Sequence, residues 1–372
     1  MLVLKNLLRR RTRTLLSLLG IAIGIAAIIA FNAVARGFKA SIDRYMQGSG
    51  AQMLVVNRSA MAPEYSRISK EEVEFVGKVP GVEHVSPGTF TIIAGRVLQK
   101  VKPGTKLKFL TVFGRMPGDR LVEKFKPGIQ GRLLQAEDEL MVGTDTARDL
   151  DVKLGDTLPM LNRTFKIVAI YQSDVKFESA GCVISSSVVQ KELAMGTSVG
   201  LCFLYLQKDA DWKKVRDTIE EKAVNLAAIQ TKDFTQYYNQ LDYIDWFVWI
   251  VSLISVVVGG LGVLNTMLMA VSERTREIGT LRAVGWSRGQ VLRMILAEGL
   301  VISVVGGSLG LFLGTFGAET LIQWAPRGLD TRYEFILFVR GFAVALALGF
   351  FGALYPAWQA SRLSPIEALK YE

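Results

Sequence analysis

The sequence predicts an α-helical membrane protein with four transmembrane helices plus a large α+β extracytoplasmic domain on helical stalks. Three observations predict it. Half of the 372 residues are hydrophobic although 21% are charged, and the mean hydropathy is +0.30. The apolar residues gather in four uncharged runs, each reaching the roughly 20 residues a helix needs to cross a hydrocarbon core. Between the first two runs lies a long charged stretch in which strand-like and helix-like segments alternate.

Residues 1–37 read as a cytoplasmic tail and the first transmembrane helix. Thr14 to Ala35 carry no charge and are bracketed by Arg13 and Arg36. The run is longer than the apolar core of a signal peptide, so it reads as a retained anchor despite the small pair Ala33 and Ala35. Lys5, Arg9, Arg10, Arg11 and Arg13 precede it, which by the positive-inside rule puts the N-terminus in the cytoplasm.

Residues 38–245 then form the extracytoplasmic domain. "FKASIDRYMQ" continues the first helix until Gly48 and Gly50 break it. "AQMLVVN" reads as a strand. Ser69 with Glu72 three residues on is a capping-box signature, and that helix ends before Pro80-Gly81. "HVSPGTFTIIAG" and "KLKFLTVFG" are strand-like around a turn at Pro103-Gly104. "ELMVGTDTARDL" reads as strand then short helix, and "RTFKIVAIYQ" as a strand. "AGCVISSS" and "GLCFLYLQ" are strands around a short helix. "DADWKKVRDTIEEKAVNL" is a helix capped by Asp209 or Asp211, and "DFTQYYNQLDYI" leads into the second span as one continuous helix. Strand order is not readable at this level.

The remaining segments follow from charge. The second, third and fourth transmembrane helices occupy 246–272, 294–322 and 336–360. A cytoplasmic loop fills 273–293, a short outer loop 323–335, and a cytoplasmic tail 361–372. The loop carries five Arg against two Glu, which agrees with the orientation set by the N-terminal tail. The net charge of +10 therefore concentrates at the inner membrane face, while the outer segment holds 28 basic and 26 acidic residues. A nucleic-acid binder would place its excess on the folded domain, so no nucleic acid partner is expected.

Catalytic chemistry has little to stand on. The chain has no GxxxxGK[ST], no HExxH, no CxxC and a single histidine, His84. It reads as non-enzymatic. Two cysteines, Cys182 and Cys202, lie in the outer segment. An oxidising compartment permits a disulfide between them, and two buried thiols on neighbouring strands is the reading preferred here. Arg96, Lys100, Lys102, Lys106 and Lys108 form either a solvated hairpin face or a contact for anionic lipid or an acidic partner. In the spans the polar residues of note are Asn32, Asn265 and Thr315, with no ladder of ionisable groups. Gly20 and Gly24 in the first span, and Gly306, Gly310 and Gly314 in the third, let helix backbones approach closely, within the chain or across a dimer.

The loop is too charged for lipid and too helix-prone for a linker. Glu273 with Arg276 and Arg274 with Glu277 are opposite charges three residues apart. Ile278, Leu281 and Val284 share one helical side, and Gly285 is a stop signal. A short amphipathic helix fits, either lying on anionic lipid or docking a cytoplasmic protein. Glu298, at the start of the third span, is expected either to sit at the interface or to anchor the loop by pairing with Arg282, Arg288 or Arg293.

"AVSERTREIGTLRAVGWSRGQVLRMILAEGL" resembles the loop signature of the MacB/FtsX-type ABC transporter permeases, matched by Glu273, Arg274, Thr275, Arg276, Glu277, Ile278, Gly279, Arg282, Ala283, Gly285 and Glu298. "YPAWQASRLSPIEALKYE" resembles the family's closing segment through Pro356, Ala357, Ala360, Pro365, Glu367, Ala368, Leu369 and Glu372. "VPGVEHVSP" and "GDTLPMLNRTFKIVAI" resemble its outer domain. The resemblance implies a MacB-like permease subunit without a fused ATPase, working as a dimer with a second copy or a paralogue in the bacterial inner membrane. It implies a cytoplasmic ATPase partner that binds ATP and Mg, this chain binding no cofactor. The docking surface would be a coupling helix comprising Glu273, Arg274, Arg276, Glu277, Ile278, Gly279, Leu281, Arg282 and Gly285. A periplasmic adaptor and membrane lipid are further candidate partners. The implied function is export or extraction of a lipid, lipoprotein, peptide or amphipathic drug. The alternative is a non-transporting FtsX-like regulator of an extracytoplasmic hydrolase or sensor.

Overall fold

The computed structural model describes residues 11–60, 65–94, 109–237, 240–324 and 328–364. The basic cluster from Arg96 to Lys108, the turn at Pro103-Gly104, residues Lys5, Arg9 and Arg10, and the closing motif from Pro365 onward lie outside them. The chain divides into two compact units, one of Met1–Arg36, Ile244–Leu321 and Thr331–Glu372, the other of Gly37–Tyr243 and Ile322–Asp330.

The first unit is helical. Its long helices are α1 (Arg11–Gly48), whose last residues belong to the second unit, then α9 (Gln240–Glu273), α11 (Arg288–Ile322) and α12 (Phe335–Ser361). All four are long and apolar enough to cross a membrane. Trp246 and Trp249 near the start of α9, and Tyr355 and Trp358 near the end of α12, are exposed, as expected of aromatic residues at a membrane interface. An aliphatic core of Ile21, Ile25, Ile29, Val263, Met267, Ile295, Ile302 and Ala345 joins the helices.

Small residues set the helix spacing. A Cβ added to Gly306 would lie 3.1 Å from Ile21 Cβ, one on Gly310 2.8 Å from the Ala22 carbonyl oxygen, and one on Gly314 2.7 Å from Ile29 Cβ. The glycine ladder of α11 therefore packs on α1 within one chain. A Cβ added to Gly24 would lie 3.1 Å from the Ser255 carbonyl oxygen of α9, whereas one on Gly20 meets nothing within 4 Å. Gly20 is thus not part of a tight side-on contact. On the other flank of α11, Gly299 and Gly307 abut Ala353 and Ala345 of α12.

The second unit is an α+β head built on a ten-stranded sheet. Its strands are β1 (Met53–Asn57), β2 (Val82–Ala94), β3 (Phe109–Arg115), β4 (Ile129–Gly131), β5 (Glu139–Gly143), β6 (Thr157–Met160), β7 (Arg163–Tyr171), β8 (Gly181–Ser185), β9 (Leu201–Leu206) and β10 (Leu226–Gln230), in the order β10-β1-β9-β2-β3-β8-β5-β7-β4, with β6 on β7. The first four of that order pair antiparallel. They are linked as β1-α2-β2 and β9-α7-β10, with α2 (Lys70–Gly77) and α7 (Trp212–Lys222). These are two interleaved split β-α-β units, a ferredoxin-like arrangement. Val76, Val215 and Ile219 close a core over Met53, Val55, Cys202 and Leu204.

The rest of the sheet is an insertion between β2 and β9. It pairs β3 with β8 and β5 with β7 in parallel. Helices α4 (Thr144–Leu150) and α6 (Ser186–Glu192) supply Ala147, Leu150, Val188 and Val189 to a second core with Leu110, Val142, Ile167 and Cys182. Local signals act as the residues dictate. Ser69 and Glu72 form the capping box of α2, and Asp211 caps α7. Leu161 and Asn162, both at positive φ, make the two-residue turn between β6 and β7.

One expectation is corrected. Cys182 and Cys202 are buried free thiols, but not on neighbouring strands. β2 and β3 stand between β8 and β9. At about 4.8 Å per strand the two backbones are roughly 14 Å apart, beyond the span of a disulfide. The stretch "DFTQYYNQLDYI" is helical at α8 (Phe234–Tyr237) and again from Gln240, and residues 238–239, on which the expected continuity depends, lie outside the described residues.

The glycine contacts yield a test. Gly310→Leu should lower stability by about 1–3 kcal/mol through overpacking against α1, while Gly20→Ala should change it by less than about 0.5 kcal/mol. Thermal unfolding in detergent, followed by tryptophan fluorescence, checks this. Equal melting of the two variants would count against the packing described.

Candidate functional site

The charged loop folds into a short helix, α10 (Thr275–Ala283), set between α9 and α11. Arg274 makes the break. Its φ of −112° and ψ of 17° leave the helical region, so α9 stops at Glu273 and the chain turns. Thr275 Oγ1 donates to the Ser272 carbonyl at 2.8 Å and steadies the turn.

The far end closes as a Schellman motif. The Trp286 amide donates to the Leu281 carbonyl at 3.1 Å and the Gly285 amide to the Arg282 carbonyl at 3.2 Å. Gly285 has φ of 103°, a conformation that favours glycine, so the stop signal seen in the sequence acts as one. A capping box then starts α11. The Gln290 amide donates to Ser287 Oγ at 3.3 Å and the Ser287 amide to Gln290 Oε1 at 2.7 Å.

One ion pair fixes the loop to the bundle. Arg274 Nη1 donates to both carboxylate oxygens of Glu298, at 2.9 and 3.0 Å. Arg274 Nε donates to Glu277 Oε2 at 3.1 Å. The Arg274 and Glu298 side chains are only 16% and 7% exposed. Desolvation works to lower the pKa of the Arg274 guanidinium. Its hydrogen bonds to Glu298 and Glu277 outweigh that and raise it, so the group stays charged. The partner of Glu298 is thus Arg274, not Arg282, Arg288 or Arg293. Arg282 instead donates from Nη1 to the Trp286 carbonyl at 3.2 Å, clasping its own turn. Arg288 and Arg293 are exposed.

The two faces of α10 are unequal. Ile278 and Gly279 are buried, and Ile278 packs with Val271, Val291 and Ile295. Leu281 is half-buried. Val284 is 79% exposed, contrary to its assignment to the apolar side. It lies past the last turn of α10, where the chain leaves the helix, and Trp286 packs on the core instead. Glu273, Arg276, Glu277, Thr280 and Gly285 are exposed. The structure therefore offers a short, end-capped helix with a polar outer face and a buried electrostatic anchor. The Ser287–Gln290 cap went unread in the sequence, although an S-x-x-Q pattern before an apolar run signals it.

Comparison with known proteins bears directly on this loop. A model described as FtsX-like permease C-terminal matches residues 249–365, which contain it. A model of the MacB-like periplasmic core domain matches residues 14–222, more than half of the sequence. The chain belongs to the MacB/FtsX-type ABC transporter permease family. As a MacB-like permease with four such helices, it is a multi-pass membrane protein. It is 27% identical, over 99% of its length, to the macrolide export ATP-binding/permease protein MacB of Bdellovibrio bacteriovorus, and covers 61% of that protein. It is 29% identical, over 97% of its length, to the pyoverdine export ATP-binding/permease protein PvdT of Pseudomonas putida, and covers 58% of it. An uncharacterized ABC transporter permease of Methanocaldococcus jannaschii is 25% identical over 99% of this chain, which covers 96% of that relative. The MacB-like permease thus spans about three fifths of the two exporters it resembles.

The anchor of the MacB-like loop is testable alone. Arg274→Ala or Glu298→Ala breaks a buried ion pair from one side and should cost up to about 3–5 kcal/mol, while Arg274→Met with Glu298→Leu should recover most of that loss. Thermal unfolding in detergent measures all three. A double variant as unstable as the single ones would show that the pair is not what holds the loop.

Proposed function

We propose that this chain is the permease subunit of an ABC exporter in a bacterial inner membrane, with both termini cytoplasmic and the α+β head outside. A partner ATPase binds ATP and Mg in the cytoplasm and grips α10. The observation that carries this reading is the build of α10: capped at its C-terminal end, tied by Arg274 to Glu298, and turning Glu273, Arg276, Glu277 and Thr280 outward. An anchored helix passes on a push, whereas a flexible linker would absorb it. Within the proposed coupling set the residues divide by burial. Arg274, Ile278, Gly279, Leu281 and Arg282 hold the helix, and the exposed residues meet the ATPase.

In this mechanism, closure of two ATPases moves the α10 helices of the permease and a second copy or paralogue. α1 is one unbroken helix from Arg11 to Gly48, ending in residues of the head. It carries the motion outward, and the head acts on a substrate there. The core among the described helices is aliphatic, which suits mechanical transmission better than a polar conduit through the bundle. The relatives named as exporters of a macrolide and of pyoverdine favour an amphipathic cargo: a lipid, lipoprotein, peptide or drug. A periplasmic adaptor and membrane lipid complete the proposed partners.

Charge reversal on the outer face tests docking. Glu273→Arg or Arg276→Glu should lower the coupling of ATP hydrolysis to transport by about tenfold or more, since like charges facing one another at an interface cost several kcal/mol. Hydrolysis and cargo movement are measured together in vesicles holding permease and ATPase. Unchanged coupling would count against docking. ATP hydrolysis without movement of any cargo by the wild type would favour the regulator reading.

A further inference from the structure

The head contains a short helix whose surroundings the coupling mechanism does not yet use. This is α5 (Lys176–Ser179), between β7 and β8. Two segments of distant sequence meet on it, both within the second unit.

The first is the end of α1. The Tyr45 ring stacks on Phe113 at 5.3 Å and meets Phe177 edge-on at 5.5 Å. Its hydroxyl accepts a hydrogen bond from the buried Arg115 guanidinium. Gly48 lies so close to Val175, just before α5, that an added Cβ would stand 2.6 Å from Val175 Cγ2. Lys124 donates to the Gly48 carbonyl at 3.2 Å and pairs with Glu178 on α5. Glu178 also accepts from Ser173 Oγ at 2.6 Å. Tyr45, Met46 and Glu178 are all buried.

The second is the outer loop between α11 and α12. Gly328, at φ of 89°, presses on α5 so closely that a Cβ would lie 2.5 Å from Phe177 Cα. Asp330 accepts from Lys176 Nζ at 2.7 Å and from Arg44 Nη2 of α1 at 3.3 Å. Unlike the buried contacts of Tyr45, these ion pairs are open to solvent, with Arg44 50% and Lys176 61% exposed. Exposed pairs are individually weak and screened by salt.

We propose that residues 175–179 are the junction at which α1 and the 328–330 loop both deliver movement to the sheet, the loop being the releasable input, latched by Asp330 between Arg44 and Lys176. The proposal rests on the coupling reading above. α5 leads at once into β8, which pairs with β3 on one side and β5 on the other. A displacement of α5 therefore reaches the middle of the inserted half of the head. Burial at Tyr45 makes the α1 input permanent, and the solvent exposure of Arg44 and Lys176 around Asp330 makes the other reversible.

Hydrogen exchange on the full-length chain in lipid nanodiscs tests the latch. Asp330→Asn should raise amide exchange across 174–180 by roughly two- to tenfold at low salt, the range expected for losing exposed ion pairs. At about 1 M salt, where screening acts within about 3 Å, the wild type should reach the variant's rate and the variant should not change. Gly328→Ala should give the same rise at any salt. Rates equal to wild type in both variants would overturn the latch. In the complex with its ATPase, ATP should alter exchange at 174–185, and Asp330→Asn should reduce that response while hydrolysis continues. An ATP response elsewhere in the head but not at 174–185 would sink the junction alone. No response anywhere in the head would sink the coupling reading as well.

Discussion

α11 can lie against α1 because Gly306, Gly310 and Gly314 put no side chain between the two backbones. Their four-residue repeat keeps them on one face, and Ile21, Ile25 and Ile29 fill the space a side chain would need. Lipid is as apolar as the helices, so burial from water does not drive them together. Dispersion across closely fitted surfaces does. The opposite flank of α11 repeats the device against α12 through Gly299 and Gly307. Glu298 stands on that same helix, next to Gly299 and about two turns before Gly306, so the packing of α11 sets where the loop finds its anchor.

The Arg274–Glu298 pair then fixes direction more than stability. Taking both charges from water costs about what their attraction returns. What the pair secures is a single orientation for α10, because a guanidinium that spans both carboxylate oxygens and also reaches Glu277 has one arrangement that satisfies it. Ile278 beneath and the Gly285 turn behind remove the remaining freedom.

Much of this was legible in the sequence, and the part that was not has physical causes. Long apolar runs, the Ser69–Glu72 capping box, the Asp211 cap and the Gly285 stop are local signals, and local geometry decides them. The partner of Glu298 was not legible. Arg282, Arg288 and Arg293 were the partners expected, whereas the break at Arg274 turns the chain so that a residue twenty-four positions away arrives instead. Val284 followed the helical spacing on paper but lies beyond the last turn, where periodicity no longer applies. Gly20 and Gly24 looked equivalent at their i, i+4 spacing, yet only Gly24 lies so close to a neighbouring backbone that a side chain would be crowded. Strand order, and with it the separation of Cys182 from Cys202, depends on pairings between distant segments that no local pattern encodes. Asp330 of the short outer loop acquires its role only from where Arg44 and Lys176 come to stand, which no local pattern encodes.

The insertion in the head leaves β2 and returns at β9, two strands that lie side by side. Each half has its own apolar interior, Leu110, Val142 and Ile167 in one and Met53, Val55 and Leu204 in the other. A guest module whose two ends meet at one spot can be enlarged, trimmed or replaced while its host keeps folding. Evolution could therefore retailor the guest to new cargo without redesigning the machinery beneath it.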